Sequence, residues 1–295
     1  MTDTTALARR DTRLDDLLGS LRDLVVDPEI EAAFKALPET LSLNELGYDT
    51  WGFHKEAAVV YYSLAKQVYR YFRPVIHGIE NIPKGRVLIV PNHSGQLPFD
   101  AMVVATSCLL EAQPPRLVRA MVERWVPTLP WVNVAFSRSG VVLGDPINCK
   151  NLLEADNAIL VFPEGVKGSG KPWSKRYQLA PFGRGFVRLA LQTRAPIVPV
   201  GVVGAEESII SLANVKPLAR LFKAPYFPLP AFLPLLGPLS FLPLPTRFHV
   251  WFGDPIMLEG PFDDEDEVID KKVEVIRKAV QDLVDHGRKE RKTLF

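Results

Sequence analysis

The sequence has little cysteine, almost no net charge and no apolar leader. Its two cysteines, Cys108 and Cys149, belong to no C-x-x-C or Cys/His cluster, which argues against zinc sites and predicts two reduced thiols in or near the core. A formal net charge of +1 disfavours nucleic acid as a partner. The opening residues, MTDTTALARRDTRLDD, carry charge where an export signal would be apolar, so we predict a cytoplasmic location.

Long uncharged runs are also scarce, with one exception between Lys223 and Arg247. This stretch is long enough to span a bilayer, but seven prolines fall within residues 225–245. Prolines break an unsupported helix, and lipid tolerates no unpaired backbone groups. The sequence therefore predicts an irregular or short-helical segment that covers a hydrophobic site or contacts a membrane surface.

The pattern of apolar residues divides the chain near residue 75. Residues 12–37 and the stretch from His54 to about Phe72 have helical periodicity, which predicts an amino-terminal helical region, 1–74, that packs on the rest or associates with a membrane. In residues 75–295 short β-rich runs alternate with helical stretches. This alternation predicts an α/β domain with a largely parallel central sheet flanked by helices. We predict strands at 86–92, 116–121, 140–144, 158–165, 196–204 and 248–256, and helices at 99–111, 148–156, 183–193 and 263–291.

A histidine and an aspartate follow the first of these strands, in VLIVPNHSGQLPFDAMVV. His93 comes directly after the apolar run and Asn92. Asp100 comes seven residues later, where a helix can start after Pro98. An imidazole can take a proton near neutral pH, and an Asp on its other nitrogen fixes its orientation. Ligand crevices form at the carboxyl ends of strands in α/β sheets, so this position favours a general base with its orienting partner over a local cap.

Two other motifs point to different chemistry. Residues 165–171 have the spacing G-x-x-x-x-G-K of a nucleotide-binding loop, but Pro172 stands where that loop needs a Ser or Thr to hold magnesium. Ser94 could act as the nucleophile of a serine or thioester hydrolase, but the chain contains no G-x-S-x-G elbow. Both alternatives are weaker than the His/Asp interpretation, and the hydrolase stays open.

Four blocks occur in the order NHSGQLPFD, SGVVLGD, FPEGVKG and APIVPVG. In this order the chain resembles the glycerolipid acyltransferases, and its longer loop resembles their monoacylglycerol-acyltransferase-like branch, over roughly residues 75–256. The resemblance implies transfer of a fatty acyl chain from acyl-CoA or acyl carrier protein to a hydroxyl of a lysophospholipid, glycerol phosphate, monoacylglycerol or diacylglycerol. It implies His93 as the general base, Asp100 as its partner, and no metal or redox cofactor.

The chain departs from the family pattern in two places. Six residues separate His93 from Asp100, where the family usually has four, and the second block lacks an arginine that phosphate-binding members often carry. These departures leave the acceptor open. They also leave open a non-catalytic lipid-binding protein on the same fold.

The resemblance also implies binding residues and partners. An acyl chain needs an apolar groove, because each buried CH₂ contributes about 0.8 kcal/mol. Beside a glycerolipid acceptor and an acyl donor, we expect a membrane surface as a partner, with the protein peripheral or monotopic. The residues expected to bind acceptor or phosphate groups are Pro163, Glu164, Gly165, Lys167, Lys175, Arg176 and Arg184. Those expected to form an acyl groove or a membrane contact are Phe227, Phe232, Leu236 and Phe241.

Overall fold

A seven-stranded sheet forms the centre of the computed structural model, which describes residues 24–37, 42–128, 131–221 and 224–294. In chain order the strands are β1 (Val75–His77), β2 (Val87–Pro91), β3 (Val118–Val122), β4 (Val142–Leu143), β5 (Ala158–Leu160), β6 (Ile197–Val203), β7 (Ser211–Asn214), β8 (Pro228–Pro230) and β9 (His249–Phe252). β7 and β8 form a separate antiparallel ribbon.

The order across the sheet is β1-β9-β6-β2-β5-β3-β4. The five strands from β6 to β4 are parallel, with Leu88 of β2 opposite Ile197 on one side and Ile159 on the other. β9 is antiparallel to β6 and parallel to the edge strand β1. The predicted α/β fold with a largely parallel sheet is therefore confirmed.

Helices cover both faces of the sheet. In chain order they are α1 (Pro28–Lys35), α2 (Lys55–Phe72), α3 (Phe99–Leu110), α4 (Val132–Ser139), α5 (Pro146–Glu154), α6 (Val166–Ser169), α7 (Gly185–Thr193), α8 (Ala205–Ser208), α9 (Lys216–Leu221), α10 (Leu233–Leu236) and α11 (Asp266–Glu290). Helices α5, α7 and α11 lie on one face, and α2 and α3 lie on the other.

The alternation of side chains along β2 explains this sandwich. Leu88 and Val90 point into the cluster formed with α5, α7 and α11, and Val87 and Ile89 point into the cluster formed with α3. All residues of β2 are buried, as expected for a parallel strand covered on both sides. Cys108 and Cys149 are buried free thiols, one in each cluster.

The amino-terminal prediction needs one correction. Residues 12–23 lie outside the described residues, and the remaining part is not one continuous helix, because α1 begins only at Pro28. Asp27 caps this helix by accepting from the backbone N–H of Glu29, and it also accepts from Lys66 Nζ at 2.6 Å. Lys66 of α2 is therefore buried and paired, and this helix packs on the domain instead of offering that cation to a surface.

The sequence pattern also missed several short elements. β1, the β7/β8 ribbon and α4 were not predicted, since they are too short for a clear period. The segment 225–245 is irregular as predicted, and its regular parts are β8, α10 and a 3₁₀ helix over Gly237–Phe241. Within the described ranges, no helix combines the length and the apolar character that crossing a bilayer requires.

Helix α11 packs directly on the backbone of β6. A Cβ at Gly201 would lie 2.8 Å from the carbonyl carbon of Leu283 and 2.9 Å from the backbone nitrogen of Val284. We expect Gly201→Ala to lower the free energy of unfolding by about 1–3 kcal/mol, because the helix must move off the sheet. Urea denaturation measures the loss.

Gly185 provides the matched control at the start of α7. A Cβ there meets no atom within 4 Å. We expect Gly185→Ala to raise the free energy of unfolding by roughly 0.4–1 kcal/mol, because the unfolded chain loses more freedom than the folded one. Equal effects of the two substitutions would show that the contact between β6 and α11 is not tight.

Candidate active site

The carboxyl ends of four parallel strands meet at one edge of the sheet. His93 follows β2, Glu123 follows β3, Glu164 follows β5 and Glu206 follows β6. Glu206 and the loop residues Gly95 and Gln96 after His93 line a small cleft at this edge, where α/β sheets commonly bind their ligands.

His93 and Asp100 are brought together although six residues separate them. The Nδ1 atom of His93 lies 2.7 Å from Oδ2 of Asp100, whose side chain is fully buried. The same carboxylate accepts from the backbone N–H groups of Ser94 and Ala101, both at 2.8 Å. The loop turns at Gly95, where φ is +83° and a Cβ would lie 3.0 Å from the carbonyl oxygen of Ala205. The longer loop therefore preserves the His/Asp contact.

This hydrogen bond fixes the tautomer of the neutral imidazole. Asp100 accepts from Nδ1–H, so Nε2 carries the lone pair, and no described residue bonds to Nε2. Burial lowers the pKa of His93, but the charge and hydrogen bond of Asp100, with the charge of Glu164, outweigh it and raise the pKa above the ordinary 6.5. The side chain is 17% exposed, so Nε2 can act as a base beside the loop that lines the cleft.

Asn92 holds the end of β2 in place. Its side-chain amide donates to the carbonyl oxygen of Val202 at 3.0 Å, and its Oδ1 accepts from the N–H of Val202 at 2.7 Å. The residue is completely buried. Sequence reasoning noted Asn92 only as the neighbour of His93, although a polar residue at the end of an apolar strand is the signal for such a clamp.

Glu164 lies at the site with both carboxylate oxygens engaged inside the protein. Its Oε1 accepts from the backbone N–H of His93 at 2.8 Å, and its Oε2 accepts from the N–H of Ala180 at 2.6 Å. Lys171 Nζ lies 3.4 Å from Oε2 and 3.2 Å from Oε1 of Glu206. Glu164 is thus a buried structural carboxylate that positions the backbone of His93.

The ion pairs of Lys171 also argue against a nucleotide-binding loop at residues 165–171. The amine of Lys171 is buried between Glu164 and Glu206, so its charge is matched inside the protein and is not presented to a phosphate. Burial raises the pKa of Glu206, against the opposing effects of Lys171 and the N–H of Tyr177. The glycines of this loop serve packing, because a Cβ at Gly168 would lie 2.7 Å from that of His93.

The predicted basic residues separate into two groups. Lys167, Lys175 and Arg176 are exposed, and the guanidinium of Arg176 lies 4.4 Å from the ring of Trp173. Arg184 forms ion pairs with the α11 carboxylates of Asp266 and Asp270. The structure therefore places Arg184 in a surface ion-pair network and does not bring it to His93.

Two other predicted residues border the loop after β5. The carbonyl oxygen of Pro163 accepts from the N–H of Gly183 at 3.0 Å, and Gly165 has a φ of +55°. The N–H of Gly165 donates to the carbonyl oxygen of Phe162, and that of Val166 donates to Glu123 Oε1. Both amides are thus engaged inside the protein.

Ser94 does not form a nucleophile with His93. The residue is completely buried, and within the described residues its hydroxyl has no hydrogen-bond partner. Its backbone N–H is used on Asp100. A serine hydrolase requires a hydroxyl bonded to the base, so this geometry disfavours it.

Two depressions lie side by side next to the His93 loop. A polar pocket is lined by residues that include Gln96, Lys171, Trp173 and Arg176. An apolar cavity lies beside it, and Ile209 lines both. Phe232 and Leu236 line the apolar cavity, whereas the rings of Phe227 and Phe241 pack on each other with centroids 5.9 Å apart.

A histidine base on a buried aspartate, at the strand ends of a mostly parallel sheet, defines an α/β protein equipped for proton transfer from a hydroxyl. Comparison with known proteins agrees with this class: residues 73–203 match the family model described as Acyltransferase. This match covers less than half of the chain.

Two known proteins are similar to this chain over more than two thirds of its length. An uncharacterised protein of Mycobacterium tuberculosis is 40% identical over 217 residues, which are 73% of this chain and 60% of the relative. The mouse protein named DGAT1/2-independent enzyme synthesizing storage lipids is 24% identical over 217 residues, covering 71% of this chain and 59% of the relative. The chain thus spans about three fifths of the length of these relatives.

A solved structure of 1-acyl-sn-glycerophosphate acyltransferase from Thermotoga maritima has 19% sequence identity and a TM-score of 0.47, covering 76% of this chain and 81% of its own.

The pKa of His93 can be tested directly. We expect Asp100→Asn to lower this pKa, because burial then acts without the carboxylate that opposed it. NMR titration of protein with ¹⁵N-labelled histidine measures the value in both proteins. The control is Asp282→Asn, which removes an exposed carboxylate paired with Lys278, and should leave the titration of His93 unchanged. An unchanged value in Asp100→Asn would contradict the assigned geometry.

Proposed function

We propose that this protein transfers a fatty acyl chain from a thioester, acyl-CoA or acyl carrier protein, to a hydroxyl of a glycerolipid. The observation that carries the proposal is the 2.7 Å contact between His93 Nδ1 and Asp100 Oδ2, which leaves Nε2 without a bond to any described residue. The match of residues 73–203 to the Acyltransferase model supports the type of reaction, and the name of the mouse relative supports a glycerolipid acceptor.

The reaction follows from the lone pair on Nε2. His93 removes the proton of the acceptor hydroxyl while the hydroxyl oxygen attacks the thioester carbonyl carbon. The tetrahedral intermediate then collapses, the C–S bond breaks, and the imidazolium returns the proton to the leaving thiolate. Asp100 stabilises the imidazolium between these steps and remains ionised.

Glu164 contributes by positioning. Because its carboxylate holds the backbone N–H of His93, we assign it to the orientation of the base instead of acceptor binding. The acceptor would then approach along Pro163, Gly165 and Lys167. The oxyanion donors must come from groups other than the N–H groups of Gly165 and Val166, since both are engaged inside the protein.

Phosphates of the donor or the headgroup fit the exposed cations beside the polar pocket. Lys175 and Arg176 follow Trp173 at this position, and Arg176 lines the pocket itself. Arg184 is left out of this assignment, because its charge is matched by Asp266 and Asp270.

We assign the acyl chain to the apolar cavity lined by Phe232 and Leu236. The cavity shares Ile209 with the polar pocket, so a thioester near His93 can extend its chain into it. Phe227 and Phe241 pack on each other and do not line this cavity, so we leave them out of the acyl site. Each buried CH₂ contributes about 0.8 kcal/mol, which makes the cavity the main determinant of chain recognition.

The central test measures free thiol released from palmitoyl-CoA by the purified protein. Acceptors are lysophospholipid, glycerol phosphate, monoacylglycerol and diacylglycerol, each tested separately. We expect acceptor-dependent release, and a loss of roughly 10²–10⁴-fold in both His93→Ala and Asp100→Asn. In the wild type, activity should fall as the pH drops below the pKa of His93, because the base must be neutral. Since that pKa is raised, this fall begins above pH 6.5.

The controls separate the proposal from its alternatives. His286→Ala removes an exposed histidine of α11 and should retain full activity. Thiol release without any acceptor would indicate a thioesterase. Lipid binding with no release from palmitoyl-CoA or a palmitoyl carrier protein would indicate a non-catalytic lipid-binding protein.

The acyl cavity can be tested by chain length. We expect Phe232→Asp to raise the KM for palmitoyl-CoA about tenfold, equivalent to losing two buried CH₂ groups, and to leave butanoyl-CoA unaffected. Phe262 is 45% exposed, close to the 39% of Phe232, and does not line the cavity, so Phe262→Asp is the matched control. Equal effects on both chain lengths would remove the cavity from the proposal.

A further inference from the structure

One long stretch of the chain carries no negative charge. Residues 208–253 contain no Asp or Glu, although the whole chain has 34 acidic residues among 295. Lys216, Arg220 and Arg247 lie within it and are exposed. A surface built from this stretch has no charge that an anionic partner would repel.

The same stretch leaves large apolar side chains in solvent. Leu235, Leu239 and Leu242 are 84%, 63% and 64% exposed, and Tyr71 of α2 is 43% exposed. Leu239, Leu242 and Tyr71 border one cavity, and Leu235 is the neighbour in sequence of Leu236, which borders it too. We call the side chains of Leu235, Leu239, Leu242 and Tyr71 the leucine rim. Single exposed leucines are common, but several together mark an interaction surface.

Two arginines flank the leucine rim. Arg73 donates to the carbonyl oxygen of Pro245 at 2.7 Å, and Arg247 donates from Nε to the carbonyl oxygen of Arg73. Tyr71 donates to the carbonyl oxygen of Pro243 at 2.6 Å, which fastens the segment to α2. Both arginines are exposed, and neither pairs with a described carboxylate. Apolar side chains beside unpaired cations are typical of protein surfaces that bind anionic lipid.

We propose that the leucine rim docks on an anionic bilayer surface. Leu235 and Leu239 enter the boundary between headgroups and acyl chains, and Arg73 and Arg247 contact the phosphates. A second copy of the chain fits less well, because a two-fold interface at the rim would bring these arginines of both copies together.

The position of the rim suits the proposed chemistry. Tyr226, in the same segment, donates to the carbonyl oxygen of Gln96 in the His93 loop at 2.7 Å. Docking therefore holds the cleft next to the lipid. This inference deepens the proposed function and rests on it for the nature of the substrates, but binding itself needs no turnover.

The test is co-sedimentation of the purified chain with sucrose-loaded vesicles. We expect binding to vesicles of phosphatidylglycerol and phosphatidylcholine, weaker binding to pure phosphatidylcholine, and weakening by added salt. Leu235→Asp with Leu239→Asp should reduce the affinity roughly tenfold or more, since it places two charges in the docking surface. Arg73→Gln with Arg247→Gln should remove most of the preference for the anionic vesicles.

The matched control is Ile147→Asp with Val275→Asp, two residues that are 69% and 55% exposed on α5 and α11. This variant should bind as the wild type does, and urea unfolding verifies that all variants are folded. Equal binding by the leucine variant, or no binding by the wild type, would overturn the proposal. A wild-type dimer that the leucine variant loses would assign the rim to a second copy. Thiol release is assayed separately, so loss of activity with intact vesicle binding would reject only the reaction.

Discussion

The carboxylate of Glu164 is buried, and a buried charge needs hydrogen-bond donors around it. It obtains them from the start of the His93 loop, from Ala180 and from the amine of Lys171. These donors belong to separate segments of the chain, so one carboxylate side chain fixes the position of the loops that follow β2 and β5. The imidazole of His93 has a defined position because its own backbone is one of these donors.

Parallel strands make this arrangement possible, because they bring equivalent ends to the same edge of the sheet. Asn92 ties β2 to β6 at that edge, and Gly168 lets the loop after β5 approach His93 closely. The imidazole of His93 is therefore held by packing and hydrogen bonds on two sides. Rigid positioning of a base is what distinguishes a catalytic histidine from one that merely lies in a cleft.

The sequence could predict whatever depends on residue type and local period. The long helices, the six main strands and the pairing of His93 with Asp100 are of this kind. The direction in which a side chain points cannot be predicted from residue type and local period. For this reason Glu164 was predicted to contact an acceptor, although its carboxylate points into the protein. Arg184 was grouped with the phosphate-binding residues because its partners, Asp266 and Asp270, are remote in sequence. β1 was missed because three residues show no period.

The position of β9 in the sheet has a consequence for how the chain assembles. β1 is the first strand of the domain, and among the described strands it pairs only with β9, with Val75 opposite His249. This pair can therefore form only after nearly all of the domain has been synthesised. Until then β6 presents an unpaired edge, since β9 is its neighbour on that side. Completion of the sheet is thus a late and non-local event, and a ribosome-bound chain that ends before residue 249 exposes a strand edge which invites aggregation.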